Sequence, residues 1–292
     1  MAREWLELIA RVPREAAEEA ASQLIEAGAQ AVEEREGPPG AALLVTHFLL
    51  APGAAEKLRS AERALAALGV GGGALTLRNL EDEDWAAHSR ELFTAQPYGE
   101  RLWVRPPWDD APCPPGRLEI LLEPALAFGT GRHPSTHLCL LAIERICAER
   151  PPRRFVDLGC GSGILSLAAL RLGAERALAL DLDPLAVESA RRLAAENGLA
   201  GRLRAEAGSL EPALLGDWWG RVDFLAANIF LGPLRELASR MAEAMAPGGR
   251  GVLSGIGYEQ ADALAAAAEG AGLRVLRRER LEEWASLEVE RP

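Results

Sequence analysis

The sequence predicts an α/β chain: a Rossmann-like domain with a mainly parallel sheet, preceded by a small α+β unit of ferredoxin-like arrangement. Three observations predict it. Apolar Phe155, Val156 and Leu158 run into Gly159-Cys-Gly-Ser-Gly163, and Ile164, Leu165, Ala168, Ala169 and Leu172 then recur at helical spacing, so a strand, a glycine turn and a helix follow one another. A second apolar run over 177–180 ends in Asp181, 22 residues after Gly159, where a carboxylate can accept both ribose hydroxyls of a nucleoside. The first 80 residues alternate differently, as strand, helix, strand, strand, helix, strand, which is the ferredoxin-like order.

Each element has its own signal. Residues 5–12 alternate as a strand, and Pro13 heads a helix to about 27 that Gly28 closes. A strand is expected over 29–34. After the Gly37-Pro-Pro-Gly40 turn, 42–50 is long and apolar enough for a central strand. Leu58, Leu65 and Leu68 mark a helix over 54–68, and 75–80 closes the unit, which is assigned residues 1–80. An acid-led segment opens a connecting helix placed at 81–100, leaving 101–292 for the larger domain. Its preamble holds a proline-broken strand at 102–108 and a short one at 118–122, expected to pack on that domain's edge. Ser135-Thr136 are expected to cap a helix to about 148. Beyond Asp181, Pro184 starts a helix over 185–197 that ends at Gly198, and strands follow at 203–206 and 222–228, the latter ending in Asn228. A helix at 237–245, a turn at Pro247-Gly-Gly249, a strand at 251–254 and a helix at 259–269 come next. Strands at 273–278 and 286–290 are expected to form an antiparallel edge pair.

Composition narrows the function classes. With 49% hydrophobic and 26% charged residues the chain is globular, and no apolar run approaches the roughly 18 residues of a membrane span. The opening Met-Ala-Arg-Glu-Trp has no signal-peptide core, so the cytoplasm is the expected compartment. Cys113, Cys139, Cys147 and Cys160 form no close pair and read as free thiols. A net charge of −11 and a pI near 5.1 argue against stable nucleic-acid binding and favour a basic protein partner. Lys57 is the only lysine, and the arginines are scattered. No membrane association is expected, and a monomer is.

The glycine turn narrows the ligand. A dinucleotide fingerprint takes glycine or alanine two residues beyond its second glycine's neighbour, where this chain has Ile164. A nucleoside cofactor fits the turn and Asp181 better. Asp157-Leu-Gly-Cys-Gly-Ser-Gly163 with Asp181 behind it resembles class I S-adenosylmethionine-dependent methyltransferases, which implies a mainly parallel seven-stranded sheet. His133, His137 and Cys139 gather in sequence, but no fourth ligand is in view and no metal is expected.

The likeness becomes specific when Phe128-Gly-Thr-Gly-Arg-His-Pro-Ser-Thr136, Asp181-Leu-Asp-Pro184, Asn228-Ile-Phe-Leu-Gly-Pro-Leu234, Leu253-Ser-Gly-Ile256 and Glu283-Trp284 are read in order. Together they resemble the ribosomal protein L11 methyltransferase family over most of residues 120–290. The resemblance implies methylation of lysine side chains and the N-terminal amine of a large-subunit ribosomal protein, with S-adenosylmethionine as donor and the first domain recognising the substrate. It implies cofactor contacts at Phe128, Thr130, Thr136, Asp157, Gly159, Gly161, Gly163, Asp181 and Asn228, and Asn228 as the catalytic residue that orients the amine. Arg132 and Ser135 stand where the family usually has threonines, and Phe230-Leu231 replaces a smaller pair. The acid-Pro-Pro-aromatic tetrad of glutamine and nucleobase N-methyltransferases is absent. A methyltransferase for RNA or a small molecule and a non-catalytic S-adenosylmethionine-binding module are the competing readings.

Overall fold

The computed structural model describes residues 4–27, 29, 32–49, 54–71, 74–81, 93–123 and 133–292. The chain divides into two units, Met1–Leu92 and Phe93–Pro292.

In the first unit, β1 (Glu4–Pro13), β2 (Val32–Glu36), β3 (Ala41–Leu49) and β4 (Leu75–Glu81) form an antiparallel sheet in the order β2-β3-β1-β4. That order, with α1 (Ala17–Glu26) and α2 (Ala54–Ala67) as the crossovers, is ferredoxin-like. Alternate residues of the two central strands, Leu8, Ala10, Val12, Ala42, Leu44 and Phe48, pack against Ala17, Ala20, Leu24, Ala61 and Leu65 of the helices. Pro13 opens a short 3-10 turn, Arg14–Ala16, before the α-helix begins. The second strand starts at Val32, later than the expected 29, although Ala29 is buried beside it.

The connecting helix expected over 81–100 is corrected at both ends. Glu81 closes β4, Gln96–Tyr98 form strand β5, and residues 82–92 lie outside the described residues. Strand β5 pairs with β6 (Leu102–Arg105), and β6 pairs in parallel with β7 (Leu118–Leu121), giving a separate three-stranded sheet. Asn197 ties this preamble down: its Oδ1 accepts from the Leu121 N–H at 2.9 Å, and its Nδ2 donates to the Leu121 carbonyl at 2.8 Å.

The rest of the second unit is a seven-stranded sheet ordered β10-β9-β8-β11-β12-β14-β13. Its strands are β8 (Arg154–Leu158), β9 (Arg176–Asp181), β10 (Leu203–Ala207), β11 (Val222–Asn228), β12 (Met245–Gly257), β13 (Arg274–Leu281) and β14 (Trp284–Glu290). The five from β10 to β12 run parallel, and β14 is antiparallel to both neighbours. The expected antiparallel edge pair is present: β14 pairs antiparallel with β13 and the two stand at one end of the sheet, with β14 also joining β12.

Helices α3 (Pro134–Glu149), α4 (Ile164–Arg171) and α5 (Pro184–Glu196) cover one face around Phe155, Phe224 and Ile143. The short α6 (Pro212–Leu215) with α7 (Leu231–Ala244) and α8 (Ala261–Gly270) covers the other, around Leu225, Met241 and Leu264. Helix α7 begins six residues before the expected 237. The turn expected at Pro247-Gly-Gly249 is a wide irregularity within β12, where Val222 pairs with Met245 and Phe224 already with Arg250. Among the described residues no helix is long and apolar enough to cross a membrane.

Candidate active site

Strand order reverses between β8 and β11: from β8 the chain winds outward to β9 and β10, and from β11 to β12. In open parallel sheets such a switch point leaves a crevice beyond the carboxyl ends of the strands. The glycine turn follows β8 and Asn228 ends β11, so the two motifs flank that crevice.

Gly159, Gly161 and Gly163 all have positive φ, at 71°, 51° and 82°. At Gly163 the requirement is double. It is the left-handed N-cap of α4, and a Cβ there would stand 3.0 Å from the Cβ of Ala190 on α5. The turn is laced to the next strand by the N–H groups of Gly159 and Cys160, which donate to the Leu180 carbonyl at 2.8 and 3.0 Å. The Gly161 N–H donates to Asp181 Oδ2 at 2.9 Å, and Asp183 N–H to Asp181 Oδ1 at 2.9 Å. Burial raises the pKa of Asp181, opposed by the hydrogen bonds from Asp183 and Gly161. Beside it Leu182 is 79% exposed, an apolar surface at the rim of the crevice. The loop after β10 closes on the same acid, with Gly208 N–H on the Asp181 carbonyl at 2.8 Å.

Asp157 lies one layer deeper and is fully buried. Its Oδ2 accepts from the backbone N–H of Ser166 at 3.0 Å and from the Ser166 hydroxyl at 2.9 Å, which fastens α4 to β8. Its Oδ1 is buried with no hydrogen-bond partner. Burial pushes the carboxyl up to about 7, the Ser166 bonds pull against this, and the charge of Asp181 adds to the rise.

On the other flank Asn228 Nδ2 donates to Thr136 Oγ1 at 3.1 Å, across 92 positions of sequence. Asn228 is 8% exposed and its Oδ1 is buried without a partner. It does not cap α7, whose N-cap is Phe230 with no side-chain bond. The N-cap of α3 is His133, not Ser135 or Thr136: its Nδ1 accepts from the Ser135 N–H at 3.3 Å and lies 2.7 Å from the Ser135 hydroxyl. Burial lowers His133 to about 4, with Glu283 opposing, so the ring is neutral at physiological pH. Its ring meets Trp284 edge-on at 4.2 Å between centroids. His137 packs instead on Tyr98 at 5.2 Å, and burial pushes the Cys139 thiol up.

The structure thus gathers Thr136, Asp157, Gly159, Gly161, Gly163, Asp181 and Asn228 at one end of one sheet. Phe128 and Thr130 lie outside the described residues. Two supporting residues had not been singled out. Ser166 holds Asp157. Gly255, at φ 86°, lies where a Cβ would come within 2.6 Å of the Ile229 carbonyl oxygen, and thereby lets the chain after Asn228 turn against β12. A glycine inside a strand pattern was the available signal.

Comparison with known proteins fits this geometry. A family model described as ribosomal protein L11 methyltransferase (PrmA) matches residues 4–292. The chain belongs to that family. Within the L11 methyltransferase family it is similar to the ribosomal protein L11 methyltransferase of Pectobacterium carotovorum subsp. carotovorum, 42% identical over 65% of this chain and 62% of that protein. A Yersinia pestis protein of the same name is also 42% identical, over 66% and 63%. These alignments span a little over three-fifths of the curated relatives' length. The crystal structure of ribosomal protein L11 methylase from Lactobacillus delbrueckii subsp. bulgaricus superposes with a TM-score of 0.61 at 32% identity, covering 68% of this chain and 99% of that one.

Proposed function

We propose that the protein transfers methyl groups from S-adenosylmethionine to lysine side-chain and N-terminal amines of ribosomal protein L11. The observation that carries this is the Asn228–Thr136 pair. It presents a buried amide oxygen without a partner at the crevice that the glycine turn and Asp181 also border.

The residues fit the nucleoside cofactor. Asp181 at the end of β9 offers a carboxylate to ribose hydroxyls, Leu182 offers an apolar face beside it, and the three glycines let backbone come close. The orphaned Asp157 Oδ1 suits a cationic amine, direct or through water. When bound, the sulfonium supplies an electrophilic methyl carbon, so the protein's task is positioning. A lysine amine has a reference pKa near 10.4 and must lose its proton before attack. Leaving water for a crevice beside a sulfonium favours the neutral form. Asn228 Oδ1 would then accept one amine N–H and leave the nitrogen lone pair free, while Thr136 fixes the amide's orientation. His133 is no base for this step. Its pKa near 4 is far below that of an ammonium, and Ser135 occupies its Nδ1.

The ferredoxin-like unit, residues 1–80 of the reading above, serves as the docking surface for the substrate protein, and the acidic chain suits a basic partner. The chain works as a cytoplasmic monomer. Incubation with labelled cofactor and either purified ribosomal proteins or stripped RNA tests the function. Label is expected in L11, and label in RNA alone would refute the proposal. Removing residues 1–80 should abolish methylation of L11 and spare cofactor binding; a truncated chain of full activity would end the docking role.

A further inference from the structure

Helix α3 carries Thr136 to Asn228, yet its contact with the sheet is largely apolar, through Leu140, Ile143, Ile146 and Cys147. Apolar contact is non-directional and sets helix register only loosely. Directional contacts come from β14. At the site end the His133 ring stands edge-on to Trp284. Twelve residues further along the helix, roughly 18 Å at helical rise, Arg145 Nη2 donates to the Glu288 carboxylate and, at 3.2 Å, to Glu279 on β13. Trp284 and Glu288 stand four residues apart on a strand and so share its α3 face.

Glu288 is only 3% exposed. Its other oxygen lies 3.6 Å from Arg250 Nη2 on β12, and Arg250 Nη1 reaches Glu149, one helical turn beyond Arg145, at 3.5 Å. A carboxylate buried between two guanidiniums adds little net stability, because desolvation offsets its attraction, and an apolar pair would fill the space as well. What it supplies that an apolar pair does not is direction, since the charge-assisted bonds from Arg145 Nη2 to Glu288 and Glu279 have preferred lines that apolar contact lacks.

We infer that Glu288 and Arg145 are positioning residues which, through α3, set Thr136 Oγ1 against the Asn228 amide, so that β14 governs the geometry of the amine site at a distance. The inference rests on Asn228 and Thr136 being the pair that holds the amine.

Glu288→Gln keeps the side chain's shape and removes its charge, and Arg145→Lys keeps the charge and loses the guanidinium whose Nη2 reaches both carboxylates. Each is measured for kcat, KM toward L11, cofactor affinity and thermal midpoint. The expected result is a fall in kcat on the order of tenfold, with KM and cofactor affinity close to wild type. Thr136→Ala combined with Glu288→Gln should be no slower than Thr136→Ala alone, because no hydroxyl remains to be placed. Additive losses overturn the inference, and so does a lowered midpoint with wild-type kcat. If Glu288→Gln does not fold, Arg145→Lys carries the same cycle. A Thr136→Ala protein with wild-type kcat removes the amine-pair reading and the inference together. A slow Thr136→Ala beside a wild-type Glu288→Gln removes the inference alone.

Discussion

The two sides of the seven-stranded sheet reach the same crevice by different means. On the β8–β9–β10 side the pieces are local: strand, glycine turn and helix are consecutive, and Asp181 accepts N–H groups from Gly161 and from its near neighbour Asp183. On the β11–β12–β14–β13 side they are assembled from a distance. Asn228 meets Thr136 from 92 residues away, and the helix bearing Thr136 is held by a strand 143 residues beyond Arg145. The glycine-turn side is thus built from one contiguous segment, and the Asn228 side is fixed by tertiary contacts between residues far apart in the chain.

The comparison implies that the two sides fail separately. The largest effect is expected at Asn228→Ala, which should lower kcat about 100-fold with a smaller loss of cofactor affinity measured by calorimetry. An equal loss of cofactor affinity would erase the division. Next comes Gly255→Ala, which forces a Cβ against the Ile229 carbonyl at a positive φ. It should cost about 2 kcal/mol in denaturant unfolding and slow the reaction by displacing Asn228. Asp181→Ala is the mirror test. It should weaken cofactor binding by about 1 kcal/mol or more, and kcat at saturating cofactor should stay near wild type.

The smallest effect is a pH signature of the cofactor-free protein. The folded pKa of Asp157, raised to about 7, exceeds its ordinary value of 3.8, so its stabilising contribution is complete below 3.8 and is lost as pH rises through about 7. His133 acts oppositely: its folded pKa near 4 lies below 6.5, so its contribution is complete above 6.5 and is lost as pH falls through about 4. Asp157→Asn should therefore match wild-type stability best near pH 4 and exceed it progressively as pH rises to 8. A difference independent of pH would place the orphaned carboxylate elsewhere in the titration.

Much of the fold was legible because its signals are local. Alternation marked the first strand and apolar runs the buried parallel ones, Pro184 and Gly198 bracketed α5, and the glycine spacing marked the turn. The misreadings are local signals that tertiary structure overrode. Ser135-Thr136 looked like a cap, but His133 before Pro134 takes that place and frees Thr136 to face Asn228. Residues 96–98 followed an acid-led helical pattern and became a strand because β6 offers a pairing partner.

By itself the sequence determined the glycine turn and the acid that it meets, since the positive φ values need glycine at fixed positions and Asp181 ends the next apolar run. It also determined that two units of different architecture follow one another. Only the tertiary structure decided that Asp157 is spent on Ser166 with one oxygen left over, that Asn228 turns its amide to Thr136, and that Glu288 reaches α3. Those are contacts between side chains far apart in the chain, and no local propensity encodes which of several buried partners a polar atom will find.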